Sequence, residues 1–334
     1  GIVFYGLSRS LKYTLPSIRK HIFDILQKNH IAFDVYWDSL TLSTNFSNER
    51  SGESGVIINN FEYKMMNPCH VQYTKQEELV SIEFKKYYTI RNIPINNNNN
   101  NNSSSSSSSS NYVNISHSKF DIWDDNYKSV KNILSAFYTM RNAKHTIEQY
   151  ITNKQITYDA ILVLRPDTAV ITDIDLPKYL PYMKSISNNN NGVSSSSSSS
   201  SSNNKHIWLP DMHIKGVCDR AAYGTPEAMA LYLDRGNTFR DGLNGIQQDL
   251  LRNLSKSNHH TGRLSTYFMN DTYPICNGEL FLQAYAYVHN ITIHHSTTRV
   301  MRVRSDGTIP INDLNFRFMR ANNAKNDNYV VSDM

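Results

Sequence analysis

The sequence predicts an α/β domain built on a mostly parallel central sheet, and three observations predict it. First, Ile2–Tyr5 is strand-like, a helical pattern follows, and Ile31–Trp37 reads as the next strand, which is a β-α-β start. Second, a long amphipathic pattern over Asn126–Ile151 delivers the chain into Ala160–Leu164. That apolar run is too short for a helix and rich enough in Ile, Leu and Val for a strand buried on both faces. Third, strand–helix alternation resumes beyond two homopolymer blocks, Asn96–Ser110 and Asn188–Asn204, the latter interrupted only by Gly192 and Val193. Such tracts carry no apolar side chains to offset the entropy of ordering, so both read as disordered loop insertions in a single domain.

Each element has its own signal. In the first helix Thr14 is the expected N-cap and Pro16 lies in the first turn; Ile18, Ile22, Ile25 and Leu26 form the apolar face. Val56–Ile58 suggests a short strand and Gln76–Tyr88 a helix, and residues 40–95 carry no recognisable chemistry. The long helix presents Val130, Ile133, Leu134, Phe137, Met140, Ile147 and Ile151, capped by Asp124 or Asp125. Ala169–Thr172 is a second short run after the Tyr158 strand, and Ile207–Leu209 a further strand. Thr225-Pro226-Glu227 opens a helix over Ala228–Leu233. Asn277-Gly278-Glu279 opens another, with Phe281, Ala284, Tyr285 and Val288 inward. Ile291–His294 and Arg299–Val303 read as the last strands.

Composition narrows the function classes. Lys+Arg 34 against Asp+Glu 29 in 334 residues gives a mild +5 with no basic run, which suits an anionic small ligand and no nucleic-acid partner. Cys69, Cys218 and Cys276 are too dispersed for a disulfide framework or a thiolate metal site. No run of 18 apolar residues exists, so no membrane span is expected within this segment. Gly1 is an unusual start and Ile2–Tyr5 is already strand-like, so the expectation is a chain that begins inside a domain, with any signal or anchor upstream. Asn-X-Ser/Thr acceptors at Asn45, Asn114, Asn253, Asn270 and Asn290 are compatible with a secretory lumen, although so Asn- and Ser-rich a chain generates them by chance; a cytoplasmic location stays open.

The candidate chemistry gathers at strand ends. The Ala160–Leu164 strand stops at Arg165-Pro166-Asp167, where a cation and a carboxylate stand together beyond a buried strand, the usual place for a ligand in open α/β sheets. Asp173 and Asp175 follow, and the three carboxylates could hold a hard cation; the competing reading is turn chemistry. Arg9 and Lys12 follow the first strand and could meet a diphosphate or simply line a solvated loop. Asp219-Arg220 precedes a helix start, either to orient a polar ligand or as a structural ion pair. Glu279 is either a partner for its helix dipole or a carboxylate able to act as general base. Arg302 and Arg304 add a pair suited to phosphate oxygens. No Gly-X-Ser-X-Gly elbow is present, which sets aside an α/β-hydrolase.

The stretches YGLSRSLKYTLPSI, the long helix before YDAILVLRPD, CDRAAYGTPEAMALY and NGELFL, taken together, resemble glycosyltransferase-like proteins of the GT-A type. More narrowly, they resemble a branch found in protists, algae and large viruses. The resemblance implies a Rossmann-like sheet that binds a nucleotide-sugar donor, a glycan or glycoprotein acceptor, and a divalent cation (Mn²⁺ or Mg²⁺) bridging the donor diphosphate. Arg165-Pro166-Asp167 would then stand where such enzymes carry Asp-X-Asp, with Arg165 replacing the first Asp. It also implies Asp167 as metal ligand, with Asp173 and Asp175 as the alternative. Arg9, Arg165, Asp167, Arg220 and Arg304 would face the donor diphosphate, and Glu279 and Asp219 would supply the catalytic carboxylates. A non-catalytic nucleotide- or glycan-binding protein of the same fold is the alternative reading.

Overall fold

The computed structural model describes residues 1–43, 45–48, 52–79, 82–83, 86, 128–189, 205–210, 218–241, 278–310 and 329–330. The strands are β1 (Ile2–Leu7), β2 (Val35–Thr41), β3 (Phe46–Asn48), β4 (Glu53–Val56), β5 (His70–Lys75), β6 (Ile161–Leu164) and β7 (Thr168–Val170). They continue as β8 (His206–Pro210), β9 (Ala221–Gly224), β10 (Thr292–Ser296), β11 (Val300–Arg302), β12 (Thr308–Ile309) and β13 (Tyr329–Val330). The helices are α1 (Leu11–Ile18), α2 (Asp24–Lys28), α3 (Lys128–Lys154), α4 (Leu176–Asn189), α5 (Pro226–Asp241) and α6 (Gly278–Val288), with a π turn over Arg19–Phe23 between α1 and α2 and a 3-10 turn over Glu62–Met66.

Seven strands form one sheet in the order β10-β8-β9-β6-β1-β2-β5. Only β9 runs against the others; the β1–β2, β2–β5, β1–β6 and β8–β10 pairs are parallel. The chain steps outward from β1 through β2 to β5, then returns to β6 on the other side of β1. That reversal makes the gap between β1 and β6 the topological switch point of a Rossmann-like sheet. Alternation along the central strands explains their apolar runs. Val3, Tyr5, Ile161 and Val163 enter a core beneath α3, α5 and α6, whereas Ile2, Phe4, Leu162 and Leu164 enter a second beneath α1, α2 and α4.

Helix α3 buries Val130, Leu134, Phe137, Met140 and Ile147 of the stripe its periodicity predicts, and Ala143 besides, while Ile133 and Ile151 pack partly buried against the same core. It packs on α5 at Gly236, where a Cβ would sit 2.4 Å from Phe137 Cβ. Gly236→Ala is therefore expected to cost about 1–3 kcal/mol by overpacking, read as a lowered thermal midpoint.

Several boundaries differ from expectation for physical reasons. Helix α1 begins at Leu11, not at Thr14, because a distant carboxylate does the capping: Glu62 Oε2 accepts from Leu11 N–H at 2.9 Å and from Ser8 Oγ at 2.8 Å. Thr14 instead donates its hydroxyl to Pro166 O at 2.7 Å. The second strand starts at Val35, and Ile31 and Phe33 pack partly buried before it. The strand read at Val56–Ile58 is Glu53–Val56, hairpinned with β3. Ala221–Gly224 is a strand of the main sheet, and Val300–Arg302 pairs with β7 outside it. Of the helix expected over Gln76–Tyr88, residues 76–79 are helical and part of the rest lies outside the described residues. Helix α4 runs two residues into the second low-complexity block; the remainder of that block, and all of the first, lie outside the described residues. Among the described residues no helix is long and apolar enough to cross a membrane.

Candidate functional site

The switch point positions the chemistry. Arg9 lies two residues beyond β1, and Arg165 and Asp167 follow β6, so both loops open at the carboxyl edge of the sheet. Asp167 accepts from two guanidinium groups. Arg165 donates Nε to Oδ1 at 3.0 Å and Nη2 to Oδ2 at 2.7 Å; Arg9 donates Nη2 and Nε to Oδ2 at 2.8 and 3.2 Å. Glu53, on the β3–β4 hairpin, joins the cluster by accepting Arg9 Nη1 at 2.9 Å and Arg304 Nη1 at 3.4 Å, with Ser305 N–H on its other oxygen at 3.0 Å. Arg304 is delivered there because Val303 N–H donates to Asp167 O at 2.8 Å and Ser10 Oγ donates to Val303 O at 3.0 Å.

Three guanidinium groups, of Arg9, Arg165 and Arg304, share the two carboxylates of Asp167 and Glu53. Burial alone would raise the Asp167 carboxyl, but Arg165 and then Arg9 outweigh it and hold the group well below its ordinary value of 3.8. Arg165 is raised in turn: burial opposes its charge, and Asp167, Tyr5 and Asp219 restore it. Most of the cluster is closed to solvent, with side-chain exposure of 7% for Arg9, 5% for Glu53, 2% for Asp167 and 10% for Arg304. Arg165 is the open member at 30%.

Because β9 alone runs backwards, its first residues meet the end of β6, with Leu164 opposite Ala221. That brings Asp219 and Arg220 to the same edge. Arg165 N–H donates to Arg220 O at 3.1 Å, and the Arg220 side chain is buried. The backbone carbonyl of Asp219 accepts from Tyr5 Oη at 2.9 Å and Tyr232 Oη at 3.1 Å. Its half-buried carboxylate has no hydrogen-bond partner among the described residues and lies close enough to Arg165 to help hold its charge.

The structure thus gathers Arg9, Arg165, Asp167, Arg304, Asp219 and Arg220. It does not bring Asp173 or Asp175 into the cluster. Asp173 is exposed and pairs with His21 Nδ1 at 2.7 Å. Asp175 is a structural anchor. Its Oδ1 accepts from Tyr223 Oη at 2.5 Å, Ser296 Oγ at 2.6 Å and Thr298 Oγ1 at 3.0 Å, and its Oδ2 from Thr297 N–H at 2.8 Å and Thr297 Oγ1 at 2.9 Å. Burial opposes the charge of Asp175, yet these donors, Ser296 and Tyr223 foremost, depress it below 3.8. A depressed folded value means stability that is present above 3.8 and is lost as pH falls from there. Asp175→Asn is expected to cost about 1.5–3 kcal/mol at neutral pH. It should also make the acid limb of a stability-versus-pH curve shallower below pH 3.8. Glu279 occupies the second position of α6, and its side chain lies outside the described residues.

These carboxylates do not fit a divalent cation. Both oxygens of Asp167 are committed to guanidinium groups, Asp175 is saturated by five donors, and Asp173 stands apart with one histidine. Among the described residues no group of three or more His, Cys, Asp or Glu side chains could hold a metal. What the cluster can do is receive an anionic group at Arg165 with a carboxylate, Asp219, close by. Sequence reasoning missed Glu53 and Glu62, since neither sits in a local pattern that marks it.

Fold and site together define a Rossmann-like α/β protein whose polar cluster stands at the sheet's switch point. No family model, curated protein or solved structure matches the chain.

Proposed function

We propose that this chain is a glycosyltransferase that moves a sugar from a nucleotide-sugar donor to a glycan or protein acceptor. The observation that carries the reading is the Arg9–Arg165–Arg304 cluster with Asp219 beside it at the switch point. Sugar transfer breaks the bond between the anomeric carbon and the diphosphate oxygen, whose electron pair leaves with the diphosphate. Preorganised cations at that oxygen stabilise the leaving charge without reorganising, and Arg165 presents one, with Arg220 nearby. The acceptor hydroxyl forms the new bond to the anomeric carbon, and its proton passes to a carboxylate. Asp219 is the residue assigned to take it, with Glu279 as the second candidate. The test is incubation with a panel of nucleotide sugars, with and without oligosaccharide acceptors, reading nucleoside diphosphate release. Release from at least one donor is expected; tight donor binding without any release would sink the transferase reading in favour of a non-catalytic binder.

A further inference from the structure

We infer that the donor diphosphate is neutralised by guanidinium groups, with Arg165 as the contacting cation and Arg9 and Arg304 behind it, and that Asp167 holds these arginines and not a divalent cation. The inference rests on the transferase reading above and concerns how that site handles charge.

Two independent observations support it. Asp167 is only 2% exposed and its carboxylate is shared between Arg9 and Arg165, so a dication reaching its singly hydrogen-bonded oxygen, Oδ1, would sit against both guanidinium groups. Two further positive charges would enter a largely closed cluster where Arg9, Arg165 and Arg304 already stand together. A diphosphate has the opposite sign and meets no such obstacle. The second observation is the exposure pattern. Arg165 is 30% exposed, against 10% or less for Arg9, Glu53, Asp167 and Arg304, and with Nε and Nη2 on Asp167 its Nη1 has no hydrogen-bond partner among the described residues. A planar fork with one edge fixed by a carboxylate and Nη1 left without a hydrogen bond, on a side chain that is 30% exposed, is suited to phosphate oxygens. Asp167 is on this account a positioning residue. It orients Arg165 by accepting from it, and Glu53 accepts from Arg9 and Arg304 from the other side.

The two roles for Asp167 give opposite signs. If it held a cation, Asp167→Asn would abolish diphosphate binding. If it only holds arginines, asparagine still accepts from them through its amide oxygen while a negative charge beside the ligand is removed, and binding is kept or tightened. The experiment is calorimetric titration of the wild-type chain with UDP, GDP and inorganic pyrophosphate, in excess EDTA and in Mn²⁺ or Mg²⁺. At least one of these probes is expected to bind, with Kd differing less than about threefold between the buffers, a difference too small for a bridging ion. Arg165→Gln is expected to weaken that binding by about tenfold or more, as loss of a charge-assisted hydrogen bond does. Asp167→Asn, if it folds, should bind at least as well as wild type; if it does not fold, the wild-type comparison in the two buffers decides alone. Binding that occurs only with the divalent ion overturns this inference and leaves the transferase reading standing. Binding of no diphosphate in either buffer overturns both.

Discussion

Asp219→Asn is expected to slow sugar transfer by about 10²–10⁴-fold while leaving the melting temperature near that of wild type. The split follows from which atoms of Asp219 are used. Its backbone carbonyl, which the substitution keeps, accepts from Tyr5 and Tyr232 and ties the start of β9 to the core. Its carboxylate has no hydrogen-bond partner among the described residues, so losing the charge breaks no such bond there. Asparagine preserves the shape and cannot take a proton. Donor affinity measured on the same variant separates binding from chemistry: an unchanged Kd with a lowered rate places the loss in the chemical step. Glu279→Gln is the companion variant, since Glu279 opens α6 with a carboxylate of the right chemistry. Wild-type transfer by Asp219→Asn together with a large loss in Glu279→Gln would move the base to α6.

The second large effect is on stability. Glu53→Ala is expected to destabilise the fold by about 3–5 kcal/mol, the range found when one partner of a buried ion pair is removed. Glu53 bridges Arg9 and Arg304 and accepts Ser305 N–H, so its loss takes an acceptor from each and removes one negative charge from between two buried guanidinium groups. Glu53→Gln, which still accepts hydrogen bonds, should lose clearly less. Chemical denaturation of the three proteins is the measurement; equal midpoints for Glu53→Ala and wild type would mean that desolvation cancels everything the bridge contributes.

How far the sequence announces this structure depends on whether the cause is local. Ile161–Leu164 and the long helix are visible because burial on both faces, or on one stripe, writes itself into consecutive residues. Arg165 and Asp167 stand out because a proline ends an apolar strand between them, and Arg9 because it follows β1. Glu53 left no trace: it lies in a short hairpin amid Ser and Gly, and its partners are 44 and 251 residues away. Glu62 is silent for the same reason, and its remote cap displaced the helix start expected at Thr14. Ala221–Gly224 lacks the β-branched residues that mark strands and was concealed until β6 and β8 flanked it. Asp173 and Asp175 show the converse case. Three acids close in sequence suggest a shared cation, yet Asp175 faces Tyr223 and the 296–298 turn whereas Asp167 faces Arg9 and Arg165.

The π turn between α1 and α2 acts as a phase shifter. Widening the coil by one residue over Arg19–Phe23 interrupts the regular ladder, and the carbonyl of His21 accepts Ile174 N–H at 2.9 Å while its ring meets Asp173. The segment between β7 and α4 is thereby clipped to the middle of a helix whose N-terminal end follows directly from Arg9. A π turn takes up one residue more than an α turn over nearly the same rotation, so Ile18 before it and Leu26 after it stay packed on one core. The His21 carbonyl meanwhile holds the segment before α4, so the apparent irregularity lets one helix serve two neighbours at once.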